Sequence, residues 1–258
     1  MIAGLRVSLI QAGLVWEDQP ANLRRFNEMI SPLRGYTDLI ILPEMFTTGF
    51  SMSPERLAES QNGPTSIWMA DQAAKTGAVV VGSLIISENG HYYNRLLWVR
   101  PDGTVSHYDK RHLFTLSGEH LHYSPGKHRL LVELNGWKIC PLICYDLRFP
   151  VWSRNTHPFD LLIYTANFPA RRSHAWKQLL IARAIENQCY TIGVNRIGTD
   201  GNGLDYAGDS CILDFEGCYL AQAHTGEHVI SSVLEAAPMQ DFRKKFPFLN
   251  DMDDFVLK

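Results

Sequence analysis

The chain has 258 residues, 45% of them hydrophobic and 20% charged, with a formal net charge of −3 at pH 7. Such a chain buries a full core without disulfides or metals, and its weak negative charge excludes an electrostatic case for nucleic acid. No apolar run reaches the roughly 18 residues of a membrane span, and "MIAGLRVSLIQAG" lacks the basic-then-apolar pattern of a signal peptide.

In chain order, "LRVSLIQA" (5–12) predicts a first strand and "PANLRRFNEMI" (20–30) a helix, with Leu23, Phe26 and Ile30 on one face. "DLIILPE" (38–44) predicts a second strand. "PTSIWMADQAAKTG" (64–77) opens on Pro and closes on Gly, the punctuation of a helix. "AVVVGSLII" (78–86) predicts a buried strand, and 94–110 a hairpin turning on Pro-Asp-Gly.

The scheme then recurs. Strands are predicted in 128–134, 137–146, 159–169 and 189–195, a helix over 173–188, and a hairpin over 210–223. "GTDGNGLDYAG" (198–208) reads as a loop, since no strand-turn-helix phosphate pattern surrounds its glycines. Arg183 and Glu186 lie three apart on one helix, the spacing of an ion pair. The tail from about 237 lacks clean periodicity but carries Phe242, Phe246, Phe248 and Phe255, rings expected to cover a core edge or a subunit interface. No Pro/Gly/Ser linker separates the halves, so residues 1–258 are read as one α/β domain of two similar half-folds.

Cysteine usage narrows the chemistry. Cys140, Cys144, Cys189, Cys211 and Cys218 form no C-x-x-C pair, which fits neither a disulfide framework nor a zinc ribbon and implies reduced thiols in the cytoplasm. A free cysteine is more often a small core hydrophobe than a nucleophile. Cys144 differs because it ends an apolar run and is followed by Tyr145, Asp146 and Arg148. There the chain turns, and the N–H groups of Tyr145 and Asp146 are released from the sheet as candidate oxyanion donors, Tyr145 first among them. Cys140, beside Pro141, has none of these features.

A thiol attacks at neutral pH only with a base or a cation nearby. Glu44 follows an apolar run in "LIILPEMF" and Lys110 closes "VSHYDK". Singly, each has the bland reading of a surface charge. Together with Cys144 they are three chemically active groups at three strand ends. His107, His112, His120, His122 and His128 cluster in sequence, but neither Cys nor a second carboxylate joins them at ligand spacing. They are read as surface or substrate-loop residues, and no metal is expected.

"LPEMFTTGF", "YDKRHLF" and "CYDLRFP" resemble the Glu, Lys and Cys motifs of the nitrilase superfamily of carbon–nitrogen hydrolases, and the likeness runs over essentially the whole chain. The resemblance implies a four-layer αββα sandwich, at least a homodimer, with no cofactor. It implies Cys144 as nucleophile, Glu44 as general base and Lys110 as the cation for the tetrahedral intermediate. Glu119, in "SGEHLHYSPG", matches a second glutamate of many members, although the histidines after it depart from the commoner pattern.

"CYDLRFP" and "TANFPARRSHAW" look most like the omega-amidase branch, whose substrates are 2-oxoglutaramate and 2-oxosuccinamate. Nitrile-cleaving relatives usually carry Cys-Trp-Glu where this chain has Cys-Tyr-Asp. A small carboxylate-bearing amide calls for a cation in the pocket, and Arg148 is the nearest in sequence; the alternative for Arg148 is an ion pair with Asp146. The competing functions are an N-carbamoyl amino-acid or metabolite-repair amidase, and a non-enzymatic dimeric binding protein on the same scaffold. The intact Glu44, Lys110 and Cys144 speak against the last.

Overall fold

The first half of the chain forms β1 (Leu5–Gln11), α1 (Gln19–Ile30), β2 (Leu39–Ile41), the short α2 (Pro54–Leu57), α3 (Pro64–Thr76), β3 (Val79–Glu88), β4 (His91–Val99) and β5 (Val105–Asp109). After the single turn α4 (Glu119–His122), the second half forms β6 (Val132–Leu134), β7 (Trp137–Ile143), β8 (Leu161–Ala166), α5 (Ser173–Asn187) and β9 (Tyr190–Asn195). It continues through β10 (Ile197–Thr199), β11 (Asp205–Ala207), β12 (Cys211–Leu213), β13 (Tyr219–Gln222), β14 (His228–Leu234) and α6 (Ala236–Lys245). This computed structural model describes residues 2–255.

The helix ends follow their sequence signals. Asp18 caps α1 by accepting from the Ala21 N–H at 2.9 Å, with Pro20 in the first turn. Gly77 ends α3 in the left-handed region, at φ 73°, where a side chain would be strained.

Two six-stranded sheets result, in the orders β14-β1-β2-β3-β4-β5 and β13-β12-β9-β8-β7-β6. Each has a parallel centre, β1-β2-β3 or β7-β8-β9, flanked by antiparallel strands. Strand periodicity sorts the side chains of the first sheet between two faces. Ile40 and Val80 pack outward with Phe26 and Ile30 of α1 and Met69 and Ala73 of α3. Leu39, Ile41, Val79 and Val81 belong instead to the cluster that contains the second sheet, with Ile139, Leu161 and Ile163. Beyond that sheet, Trp176, Leu180 and Ala184 present one stripe of α5. Gly193 of β9 permits this approach, because a Cβ there would lie 2.4 Å from Leu180 Cδ1. The layers are helix, sheet, sheet, helix.

Three regions differ from the sequence reading. β14, which that reading did not find, pairs antiparallel with β1 from Leu5↔Leu234 to Gln11↔His228 and so closes the first sheet with the end of the chain. Residues 198–208 are not simply a loop, since most of the stretch belongs to the β10–β11 hairpin, closed at Gly203 with φ 75°. The tail is helical over α6. Its Phe242 packs on Phe215 at 5.1 Å, and Arg243 pairs with Asp160 at 2.8 Å, so this part does cover a core edge. Phe248 and Phe255 stay exposed. No described helix is long and apolar enough to cross a membrane.

Candidate active site

β2 stops at Ile41, and Pro43, which has no N–H to donate, interrupts the ladder, so Glu44 emerges at the sheet rim but under cover of the second half. Its backbone is held by Asn167, whose Nδ2 donates to the Glu44 carbonyl at 2.6 Å. Lys110 continues β5 by one pairing, its N–H donating to the Asn94 carbonyl at 3.0 Å. Cys144 follows β7 directly, and its φ of 42° is a left-handed conformation rare for a residue with a Cβ. That turn is anchored by the buried Asp146. It accepts from the Ile143 N–H at 3.1 Å, the Tyr108 hydroxyl at 2.7 Å, and the main chain and ring of His112 at 3.0 and 2.8 Å. Arg183 supports the same turn from α5, donating to the Leu147 carbonyl at 2.6 Å while it pairs with Glu186 at 2.9 Å.

These elements bring the four predicted groups together. Lys110 Nζ lies 2.9 Å from Glu44 Oε1 and 3.0 Å from each Glu119 carboxylate oxygen, and all three side chains are fully buried. Glu44 Oε2 accepts from the Asn167 N–H at 2.8 Å, and Glu119 Oε2 from the Phe114 N–H at 2.5 Å.

Electrostatics assigns charges to the set. Burial works against the Lys110 ammonium, but Glu119 and Glu44 outweigh it and the net shift is upward. The lysine is therefore a fixed cation. Burial, and after it the Glu44 carboxylate, push the Cys144 thiol well above its ordinary range, while Lys110 pulls the other way. At rest Cys144 is a thiol, so it needs a base at the moment of attack.

Lys110, Cys144 and Asn167 line one cavity of about 530 Å³. The N–H of Tyr145 lies in the first turn after Cys144, where such groups have no acceptor within the turn. The Tyr145 ring packs edge-on between Phe114 and Phe149, at 4.9 and 5.1 Å. Arg148 also lines the cavity and lies 5.6 Å from the Phe168 ring centroid. The Arg148–Asp146 pair considered from sequence does not form, because Asp146 is engaged by Tyr108, His112 and Ile143. Arg171 and Arg172 share the cavity wall, and among the described residues none of the three arginines forms an ion pair. Burial, and then the neighbouring Arg171, push the Arg172 guanidinium down, as expected for crowded cations without a counter-ion.

Sequence reasoning missed Asn94, Asn167 and the role of Asp146. A signal existed for Asn167, which follows β8 as Glu44 follows β2, in the corresponding place of the second half-fold. The histidines disperse: His112 turns to Asp146, while His107, His120 and His128 are exposed. Among the described residues, no three His, Cys, Asp or Glu side chains are placed to hold a metal ion.

A nearly buried thiol beside a carboxylate–ammonium–carboxylate set, at the rim of an αββα sandwich, defines a hydrolase class suited to covalent acyl transfer. The model of the carbon–nitrogen hydrolase family matches residues 6–244, and the chain belongs to that family, the nitrilase superfamily. It is 47% identical over 255 residues to the omega-amidase YafV of Escherichia coli, covering 98% of this chain and 99% of that protein. To the 2-oxoglutaramate amidase of Bacillus subtilis it is 32% identical over 251 residues, 95% of this chain and 96% of that one. The crystal structure of a superfamily member from Xanthomonas campestris, with an arsenic adduct in its active site, superposes with a TM-score of 0.97. It is 45% identical and covers 99% of this chain and 100% of its own. The protein is thus a hydrolase of non-peptide carbon–nitrogen bonds.

Proposed function

We propose that the protein is an omega-amidase, hydrolysing the terminal amide of 2-oxoglutaramate or 2-oxosuccinamate to the 2-oxo dicarboxylic acid and ammonia. The observation that carries the substrate class is the cavity itself. It joins the Cys144 thiol to three guanidiniums without acidic partners, as a substrate with an amide at one end and a carboxylate at the other requires. The names of the relatives point to the same chemistry.

In the mechanism we infer, Glu44 takes the Cys144 proton as Sγ bonds to the amide carbon. The Lys110 ammonium and the Tyr145 N–H hold the oxyanion. Glu44 returns the proton to nitrogen, the C–N bond breaks, and ammonia leaves a thioester on Cys144. Water then loses a proton to Glu44 and attacks the thioester; the C–S bond breaks, and the proton returns to sulfur. Glu119 fixes Lys110 through both of its carboxylate oxygens. An ammonia-release assay over short ω-amides and ureido acids tests the substrate class. Turnover confined to ureido acids would contradict it.

Arg148 reads the substrate carboxylate in this account, with Arg172 beside it. A guanidinium grips a carboxylate in a two-pronged geometry that an ammonium cannot reproduce. Arg148→Lys is expected to raise KM for 2-oxosuccinamate about tenfold or more, the loss of roughly 1.5 to 3 kcal/mol of charged hydrogen bonding, and to affect a neutral short amide much less. An equal loss on both substrates would place Arg148 in the scaffold and pass the role to Arg171 or Arg172.

We further read the chain as one domain acting as a cytoplasmic homodimer. The exposed Phe248 and Ile185 are apolar surfaces that a second subunit would cover. Deleting residues 240–258 is expected to yield monomer or aggregate in sedimentation. An intact, active dimer after truncation would overturn the role of the tail.

A further inference from the structure

We propose that Asn94 is a positioning residue of the hydrolysis. Its side-chain amide bridges Glu44 and Glu119, and its carbonyl anchors Lys110, so that one residue of β4 sets the relative places of three charged groups. The inference rests on the reading of Glu44 as the base for Cys144. Asn94 Nδ2 donates to Glu44 Oε1 at 2.8 Å and reaches Glu119 Oε1 at 3.3 Å, while the Asn94 carbonyl accepts the Lys110 N–H at 3.0 Å.

The same side chain keeps a cost that packing alone would not select. Asn94 is fully buried, and its Oδ1 has no hydrogen-bond partner among the described residues. A leucine would fill similar space with no unsatisfied oxygen. What only the amide supplies is a pair of N–H donors aimed between two carboxylates.

Two carboxyl groups share a single ammonium here, so one negative charge is left uncompensated in a buried site whenever both are ionised. Hydrogen bonds donated to a carboxylate favour its ionised form. The titratable groups around Glu44 are Lys110 from the end of β5, Glu119 from α4 and Cys144 after β7, with Tyr123 beyond Glu119. Burial already pushes Glu119 up, and the charge of Glu44 adds to it. Without the bridge, one proton settles on the carboxylate pair more readily, and Glu44 Oε1, with only Oε2 still held by the Asn167 N–H, can turn wholly onto Lys110. Either change removes the base from the thiol without touching the substrate.

The test uses Asn94→Leu and Asn94→Ala, the second removing the donors without added bulk should the first fail to fold. Each variant is read by kcat and KM for 2-oxosuccinamate and by the pH profile of Cys144 alkylation with iodoacetamide. In both variants kcat is expected to fall about tenfold or more, with KM changed by no more than about threefold. The acid limb of alkylation should move to higher pH by about half a unit or more. An unchanged kcat, or a fall in kcat with the acid limb unmoved, would overturn the proposal. Alkylation needs no amide substrate, so its profile decides the role of Asn94 even if the wild-type enzyme hydrolyses no ω-amide.

Discussion

Lys110→Met and Glu44→Gln are each expected to lower kcat about a hundredfold or more, the usual cost of losing an oxyanion donor or general base. The two changes should differ in stability. Glu44→Gln leaves Lys110 paired with Glu119 through both carboxylate oxygens, so little stability is lost. Lys110→Met leaves two buried carboxylates with no cation, a situation that costs about 3 to 5 kcal/mol when one partner of a buried pair is removed. Burial raises the Glu119 carboxyl, and Lys110 is the strongest influence lowering it. Without that lysine the folded protein holds its proton more tightly than the unfolded chain does. Stability of Lys110→Met should therefore fall as pH rises above the ordinary carboxylate range, and recover in acid. Urea unfolding across pH measures this. A variant that kept more than about a tenth of wild-type turnover would remove its residue from the chemistry.

Cys144→Ala is expected to abolish amide hydrolysis in a folded protein, while Cys140→Ala retains most activity. The two thiols are a controlled pair, four residues apart along one strand and its exit. Cys140 sits in β7 opposite Leu162, wholly buried, and burial pushes its thiol up to about 12. It faces neither the cavity nor the Glu44–Lys110 pair. Cys144 lies past the strand end, in a strained conformation, on the cavity wall. Removing either sulfur from the interior should cost about 1 kcal/mol, so stability alone cannot separate them, but turnover does. Equal loss of activity from both changes would mean that Cys144 matters for packing and not for attack.

Much of this organisation was legible in the chain. Glu44 and Cys144 each follow an apolar run and Lys110 closes a predicted hairpin strand, and a charge or thiol at such a boundary marks a strand exit. Helix α1 announced itself through the spacing of Leu23, Phe26 and Ile30, and α3 through Pro64 and Gly77. What escaped notice has physical reasons. β14 alternates half-buried and exposed residues at a sheet edge, and its partner β1 lies at the other end of the chain, so no local pattern reveals the pairing. β10 and β11 are three residues each, too short for periodicity to register among glycines. Asn94 sits mid-strand with neutral polarity, and only the folded neighbours show that its amide falls between two carboxylates. The three arginines were visible, but their convergence depends on the fold, in which Phe114 and Phe168 seat two of the guanidiniums. Arg172 lies 4.8 Å from the Phe114 centroid, and Arg148 and Arg172 lie 5.6 and 5.8 Å from that of Phe168.

The central claim is that Cys144 carries the acyl group of a 2-oxo ω-amide, and rapid-quench mass spectrometry reads this directly. Wild-type protein is mixed with 2-oxosuccinamate, stopped in acid within the first turnover, and the peptide containing Cys144 is weighed. The account predicts an added mass equal to the substrate less ammonia on that peptide, lost on longer incubation and absent in Cys144→Ala. Ammonia release with the acyl group on another residue, or continued turnover by Cys144→Ala, would contradict it.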